Sequence, residues 1–164
     1  MEKTYFAVVM LFLGLCLGSF INAAVWRIRY KKDIFLDRSE CTKCHYKLGV
    51  ADLIPIISWL MLRGKCRKCQ TLISIQYPTV ELATAALFVL SLAFWPLGFE
   101  NLNNILQFAI WILACVVLVF LFVYDLKWLI LPDKAVFILA FLGFLMTVLF
   151  GLQANSFAAY FQDI

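Results

Sequence analysis

Charge is what this sequence has least of. Only 15% of its 164 residues are charged, where soluble globular chains carry about a quarter. A soluble fold of this size would have no polar surface to spare. Strict apolar–polar alternation is also missing, which excludes a strand-based span. Histidine occurs once, at His45. What is present is apolar: 65% of the residues are hydrophobic and the mean hydropathy is +0.93. The bilayer is therefore the expected solvent for most of the chain.

Four stretches approach the roughly 20 apolar residues that cross about 30 Å of hydrocarbon. They run from about Thr4 to Val25, Val80 to Phe99, Ile105 to Tyr124 and Ala135 to Leu152. The first is too long for a signal-peptide core of about 7–15 residues. The predicted fold is an α-helical polytopic membrane protein with about four transmembrane helices and a four-cysteine, zinc-ribbon-like insert after the first. It divides into residues 1–26 (first helix), 27–79 (cysteine-rich domain) and 80–164 (membrane domain with three helices). Of the 14 Lys and Arg residues, 11 lie between Arg27 and Lys68. Basic loops stay in the cytoplasm, so the cysteine-rich loop is expected inside and the N-terminus outside. Topology accounts for most of the net charge of +4, and no nucleic-acid partner is expected.

Within the loop, Cys41-Thr42-Lys43-Cys44 and Cys66-Arg67-Lys68-Cys69 form two C-x-x-C pairs. Each turn can aim two thiolates at one centre, and two turns complete a tetrahedron around zinc. Lys43, Arg67 and Lys68 would favour thiolates. Four cysteines close the shell, so the predicted metal role is structural. Two other readings remain. A pair of disulfides suits an oxidising compartment, and Cys41 to His45 matches the C-x-x-C-H pattern of haem attachment. His45 reads as a surface or supporting residue rather than a ligand. Cys16 and Cys115 sit in apolar helices and read as small hydrophobes.

Between the cysteine pairs, Asp52 to Lys65 holds an apolar run too short to span. With Trp59 and Arg63 it suits an element lying at the membrane interface; a substrate-contacting role is the alternative. Gly14, Gly18 and Asn22 recur every four residues, so they share a helix face on which another helix can approach closely. Glu81 follows Pro78 near a helix start, where an acid caps favourably; it could also meet a positive substrate group. Asp125 follows an uninterrupted apolar run at the membrane edge. It reads either as a functional carboxylate or as the end of a helix in water. Asp133 reads as a first-turn acid. Eight residues separate it from Asp125, about 12 Å along a helix, and Pro132 intervenes, so the two are poor dyad partners.

Taken in order, these residues resemble the type IV prepilin peptidases. The resemblance is carried by Gly18-Ser19-Phe20-Ile21-Asn22 through Arg27, the cysteine pairs bracketing Ile54-Pro55 and Ser58-Trp59, Gly64-Lys65-Cys66, Tyr77-Pro78-Thr79-Val80-Glu81, and Asp125 with Leu131-Pro132-Asp133. It implies an aspartic endopeptidase of the bacterial inner membrane. That enzyme cuts the basic leader of type IV prepilins or pseudopilins after glycine, on the cytoplasmic side. It then methylates the new N-terminus from S-adenosylmethionine. Asp125 would be one catalytic aspartate, and Gly64 and Lys65 match positions linked to methylation. No Gly-rich nucleotide loop marks an S-adenosylmethionine site. The family's second aspartate lies in a G-x-G-D motif that this sequence does not contain. The leading expectation is the N-terminal part of a longer enzyme. Alternatives are a methyltransferase-only half, a zinc-ribbon binding or scaffold module, and a homo-oligomer bringing two Asp125 residues together.

Overall fold

The computed structural model describes residues 2–34 and 36–162, with side chains described for 4–34 and 36–153. Asp163 and Ile164, where the sequence turns polar, lie outside the described residues. The helices are α1 (Glu2–Arg29), α2 (Ile57–Met61), α3 (Gln76–Ala93), α4 (Leu102–Trp128) and α5 (Asp133–Gln162), with one 3-10 turn at Val50–Leu53. No strand occurs among the described residues, whose backbone forms two isolated bridges, Glu40 with Lys47 and Lys65 with Leu72.

Among the described residues, three helices are long and apolar enough to cross a membrane: Thr4–Arg29, Leu102–Trp128 and Asp133–Gln153. The fourth expected span corresponds to α3. It has 18 residues, and its first two turns hold Gln76, Tyr77, Thr79 and Glu81. The polar start lowers its average hydropathy, although the remainder of the helix is apolar.

The chain divides into two compact units, Met1–Ala93 and Phe94–Ile164. In the first, α1 packs antiparallel on α3. Gly14 faces Ala85, Gly18 faces Glu81, and the Asn22 amide donates to the Tyr77 carbonyl at 3.1 Å. The expected small-residue face is thus the seam of this pair. A Cβ on Gly14 would lie 2.5 Å from the Ala85 Cα, a separation no side chain can occupy. Ile21, Val25, Thr84, Ala85 and Phe88 are almost fully buried along the seam. Thr84 turns its hydroxyl back to the Val80 carbonyl at 2.7 Å, so no polar atom of it faces the apolar core.

In the second unit α4 packs on α5. Phe108, Ile112, Cys115 and Tyr124 of α4 and Leu142 of α5 are buried. Cys115 therefore behaves as the small hydrophobe expected, whereas Cys16 is exposed on the α1 surface. At one end of this pair, Gln153 accepts from the Gln107 amide at 3.1 Å and donates to Asn104 at 3.3 Å. The α4 helix ends at Leu129, whose left-handed φ of 54° lets its N–H reach the Asp125 carbonyl at 2.7 Å. Such a residue closes a helix by satisfying one of its last carbonyls.

Candidate functional site

The four cysteines of the loop converge. The Cys41, Cys44, Cys66 and Cys69 sulfurs all lie within 4.8 Å of one another. Cys41 and Cys69 sulfurs are 3.8 Å apart, and those of Cys44 and Cys66 are 4.0 Å apart. Four Zn–S bonds of about 2.3 Å in a tetrahedron set sulfurs roughly 3.8 Å apart. The donor set and its spacing therefore fit a tetrahedral metal of the zinc kind, and a fully thiolate shell leaves no position for a reacting water.

Two copies of one local design build this cage. The Cys41 N–H donates to the Tyr46 carbonyl, and the His45 N–H to the Cys41 carbonyl, at 2.9 and 3.0 Å. The second copy repeats this with the Cys66 N–H to Thr71 and the Gln70 N–H to Cys66, at 2.8 and 3.0 Å. In each copy the residue after the second cysteine is left-handed: φ is 54° at His45 and 57° at Gln70. His45 is thus the corner of a turn, with its exposed ring facing Glu40 at 3.6 Å rather than the cage.

The electrostatics favour thiolates unevenly. The Thr71 hydroxyl, 3.3 Å from Cys69, draws that thiol down to about 6. The Cys44 backbone N–H, with that of Lys43, lowers Cys41. Cys44 itself is pushed up to about 11, because desolvation and the other thiols outweigh the help of the Tyr46 N–H. Arg67 does not serve the thiolates as its sequence position suggested. Its guanidinium pairs with the Asp52 carboxylate at 2.8 Å, and Asp52 in turn accepts from the Gly49 N–H at 3.1 Å. Glu40 is held below the usual carboxylate range by its hydrogen bond from Lys32.

Gly64 is buried with φ +67°, and a Cβ there would lie 2.9 Å from the Trp59 ring. Both facts require glycine. The Trp59 indole N–H donates to the Ile73 carbonyl at 3.2 Å, and the Ile73 N–H returns to Gly64 at 2.7 Å. Gly64 and Trp59 thus lock the second cysteine turn to the apolar run before it. Lys65 is exposed beside Cys66.

A further feature escaped the sequence reading. The Glu81 carboxylate, almost fully buried, accepts the Ile56 N–H at 2.7 Å and meets Ser19. Ile56 has φ 60° and ψ −52°, and the Ile57 N–H folds back to the Pro55 carbonyl. This is a γ-turn with positive φ, a rare and strained form, here at a β-branched residue. No spacing rule links residues 25 positions apart.

Asp125 belongs to the second unit. It is half-buried in the last turn of α4, directly after the buried Tyr124 and two residues before the exposed Lys127, whose ammonium lies 5.3 Å from the Trp128 ring centroid. Asp133 is exposed at the start of α5.

A polytopic helical protein with a four-thiol cage between its first two long helices is the class these features define. Residues 12–95 match the family described as the bacterial Peptidase A24 N-terminal domain. The chain belongs to that family, the one of the type IV prepilin peptidases. A Myxococcus xanthus protein named prepilin leader peptidase/N-methyltransferase is 46% identical over 83 residues, covering 51% of this chain and 25% of that protein. One of the same name from Pectobacterium carotovorum subsp. carotovorum is 32% identical over 159 residues, covering 83% of this chain and 54% of its own length. An Escherichia coli O78:H11 protein, named type 4 prepilin-like proteins leader peptide-processing enzyme, is 40% identical over 101 residues, covering 51% of this chain and 38% of its own. The chain thus spans between a quarter and somewhat over half of these relatives. No solved structure matches it.

Proposed function

We propose that this chain works as part of a prepilin leader peptidase and N-methyltransferase of the bacterial inner membrane. The observation that carries the reading is the family match over residues 12–95, a segment that contains the cysteine cage, Gly64, Lys65 and the Gly18–Glu81 seam. The substrates are type IV prepilins or pseudopilins, cut after a glycine and methylated at the new N-terminus from S-adenosylmethionine. The concentration of basic residues between Arg27 and Lys68 supports a cytoplasmic cysteine domain and an external N-terminus.

In this reading residues 1–26 anchor, 27–79 form the cysteine domain and 80–164 begin the peptidase region. Cys41, Cys44, Cys66 and Cys69 hold zinc, which ties the two turns together and takes no part in bond cleavage. Gly64 holds the close turn under Trp59, and Lys65 presents a cation beside it for the methylation step. Asp125 supplies one carboxylate of an aspartyl pair, in which one group activates water and the other donates a proton. Its half-buried place at a helix end beside an apolar surface suits a group that must exchange protons at a membrane edge.

The test is leader cleavage of a basic-leader prepilin in the native host, with the gene at its own locus. Asp125→Asn is expected to abolish cleavage while the purified protein keeps its zinc. Cleavage by that variant at the normal rate would remove Asp125 from the chemistry.

A further inference from the structure

Apart from Trp59, the apolar run between the cysteine pairs is not used by the cage or by the proposed chemistry. Leu53, Ile54, Ile57, Leu60 and Met61 are all exposed, Met61 at 80%. Their depth along α1 and α3 can be read from the seam. Trp26 stacks on Tyr30 at 4.9 Å near the end of α1, the kind of aromatic pair that marks a membrane–water boundary. Asn22, which bonds Tyr77, lies four residues before Trp26, roughly 6 Å nearer the bilayer centre. Gly18, which touches Glu81, lies eight residues before Trp26, roughly 12 Å deeper than it. Ile56 is bonded to the Glu81 carboxylate. That carboxylate leans back toward the start of α3, as helix side chains do. Ile56 therefore sits roughly 6–12 Å inside the boundary, within a half-bilayer of about 15 Å.

The backbone of the run is built for that environment. Pro55 carries no N–H. The Ile56 N–H goes to Glu81, Ile57 to Pro55, Ser58 to Ile54 and Leu60 to Ile56. Backbone exposed to lipid must have its polar groups satisfied internally, whereas a loop in water has no such need. Phe20 of α1 and Leu82 of α3, which follow Ser19 and Glu81 in sequence, are exposed as well. Arg63 follows two residues after Met61 and is exposed, in place to meet anionic headgroups.

We propose that residues 53–62 form an arm inserted among the acyl chains of the leaflet beside the cysteine domain, held at that depth by the Glu81 carboxylate on the Ile56 N–H. Lipid is the occupant. The strained turn at Ile56 immediately precedes α2, and Glu81 keeps the turn from relaxing. The inference concerns placement alone and stands apart from the catalytic reading.

An environment-sensitive fluorescent amino acid at Leu60 or Met61 tests it, in the full protein reconstituted into phosphatidylethanolamine–phosphatidylglycerol vesicles. Lipids spin-labelled on the acyl chain act as quenchers. Phe12, exposed on α1, is the lipid reference, and Lys43, exposed on the first cysteine turn, is the water reference. Quenching at both arm positions is expected to match Phe12. Quenching no greater than at Lys43 overturns the insertion, whether water or a protein partner covers the arm. Glu81→Ala is expected to lose the quenching at Met61, and Glu81→Gln, whose amide oxygen still accepts from Ile56, to keep it. Full quenching in Glu81→Ala would overturn the tether. The unsubstituted Glu81 protein decides insertion on its own if Glu81→Ala does not fold.

Discussion

Gly18→Ala offers the sharpest perturbation of the first unit. The added Cβ would lie 2.7 Å from the Glu81 Cα, 3.1 Å from the Val80 carbonyl and 3.2 Å from the Glu81 nitrogen. All three are backbone atoms, so no rotamer change relieves them. Carbon atoms rest about 3.5–4.0 Å apart, so α1 and α3 must part by roughly 1 Å locally. The parting loosens contacts of Ile21 and Phe88 and stretches the 3.1 Å bond from Asn22 to Tyr77. Overpacking of this kind costs about 1–3 kcal/mol. Gly14→Ala, with its Cβ at 2.5 Å from the Ala85 Cα, is expected to cost at least as much. The double variant should cost less than the sum, because one parting makes room for both. Denaturant titration in mild detergent micelles, followed by tryptophan fluorescence, measures the effect. Gly143→Ala is the control: nothing lies within 4 Å of its Cβ in α5, and alanine improves helix propensity by up to about 1 kcal/mol. A Gly18→Ala midpoint equal to the parent's would refute the close approach, and with it the antiparallel register of the seam.

Other outcomes follow from the same geometry. Gly64→Ala combines a left-handed backbone with a 2.9 Å clash against Trp59; it is expected to destabilise the cysteine domain by about 2 kcal/mol or more, read as a lower chelator concentration for zinc release. His45→Gly and Gln70→Gly remove side chains from left-handed positions. Each should stabilise the domain by about 0.5–1 kcal/mol after glycine's extra unfolded freedom is counted, raising the chelator concentration needed. Cys66→Ser is expected to lose zinc, measured by elemental analysis, and to expose the remaining thiols to alkylation, since a three-thiolate remnant no longer closes the shell. Gln153→Leu leaves the Gln107 and Asn104 amides without the partner they share. About 1 kcal/mol of destabilisation is expected in the same micelle titration, and Gln107→Leu added to it should recover part of that loss.

Spacing made some of this legible and not the rest. Cys41, Cys44, Cys66 and Cys69 announce their cage because two C-x-x-C turns converge by local geometry alone. Gly14, Gly18 and Asn22 announce a contact face because helical periodicity puts them on one stripe. Glycine at 64 was visible, but its reason was not, because the Trp59 ring reaches it through tertiary packing. His45 and Gln70 carry no composition signal for a left-handed turn; the cage imposes it on ordinary residues. Arg67 reads in the sequence as a neighbour of thiolates, yet in the folded loop it pairs with Asp52 at 2.8 Å. Glu81 looked like a cap and instead holds Ile56, a contact set by how the loop returns to α3. Asn104 and Gln107, one helical turn within an apolar stretch, were the overlooked hint of an amide cluster. The α3 span fell short for a related reason: its polar first turns serve the seam and the loop instead of lipid.

The doubled turn of the cysteine domain has a consequence for the chain as a polymer. A metal held by Cys41, Cys44, Cys66 and Cys69 joins two points separated by 22–28 residues and makes a closed ring of the segment between them. By the entropy of closing a ring of that length, such a crosslink removes about 3.5 kcal/mol of freedom from the unfolded chain. The ring contains Pro55, Ile56 and Trp59, and it is pinned at two further points, by Glu81 at Ile56 and by Ile73 at Trp59. Metal loss would therefore cut the ring open at the sulfurs while those two fastenings stay in place. The greatest gain in motion would come in the first cysteine turn, which the bonds at Ile56 and Trp59 do not hold.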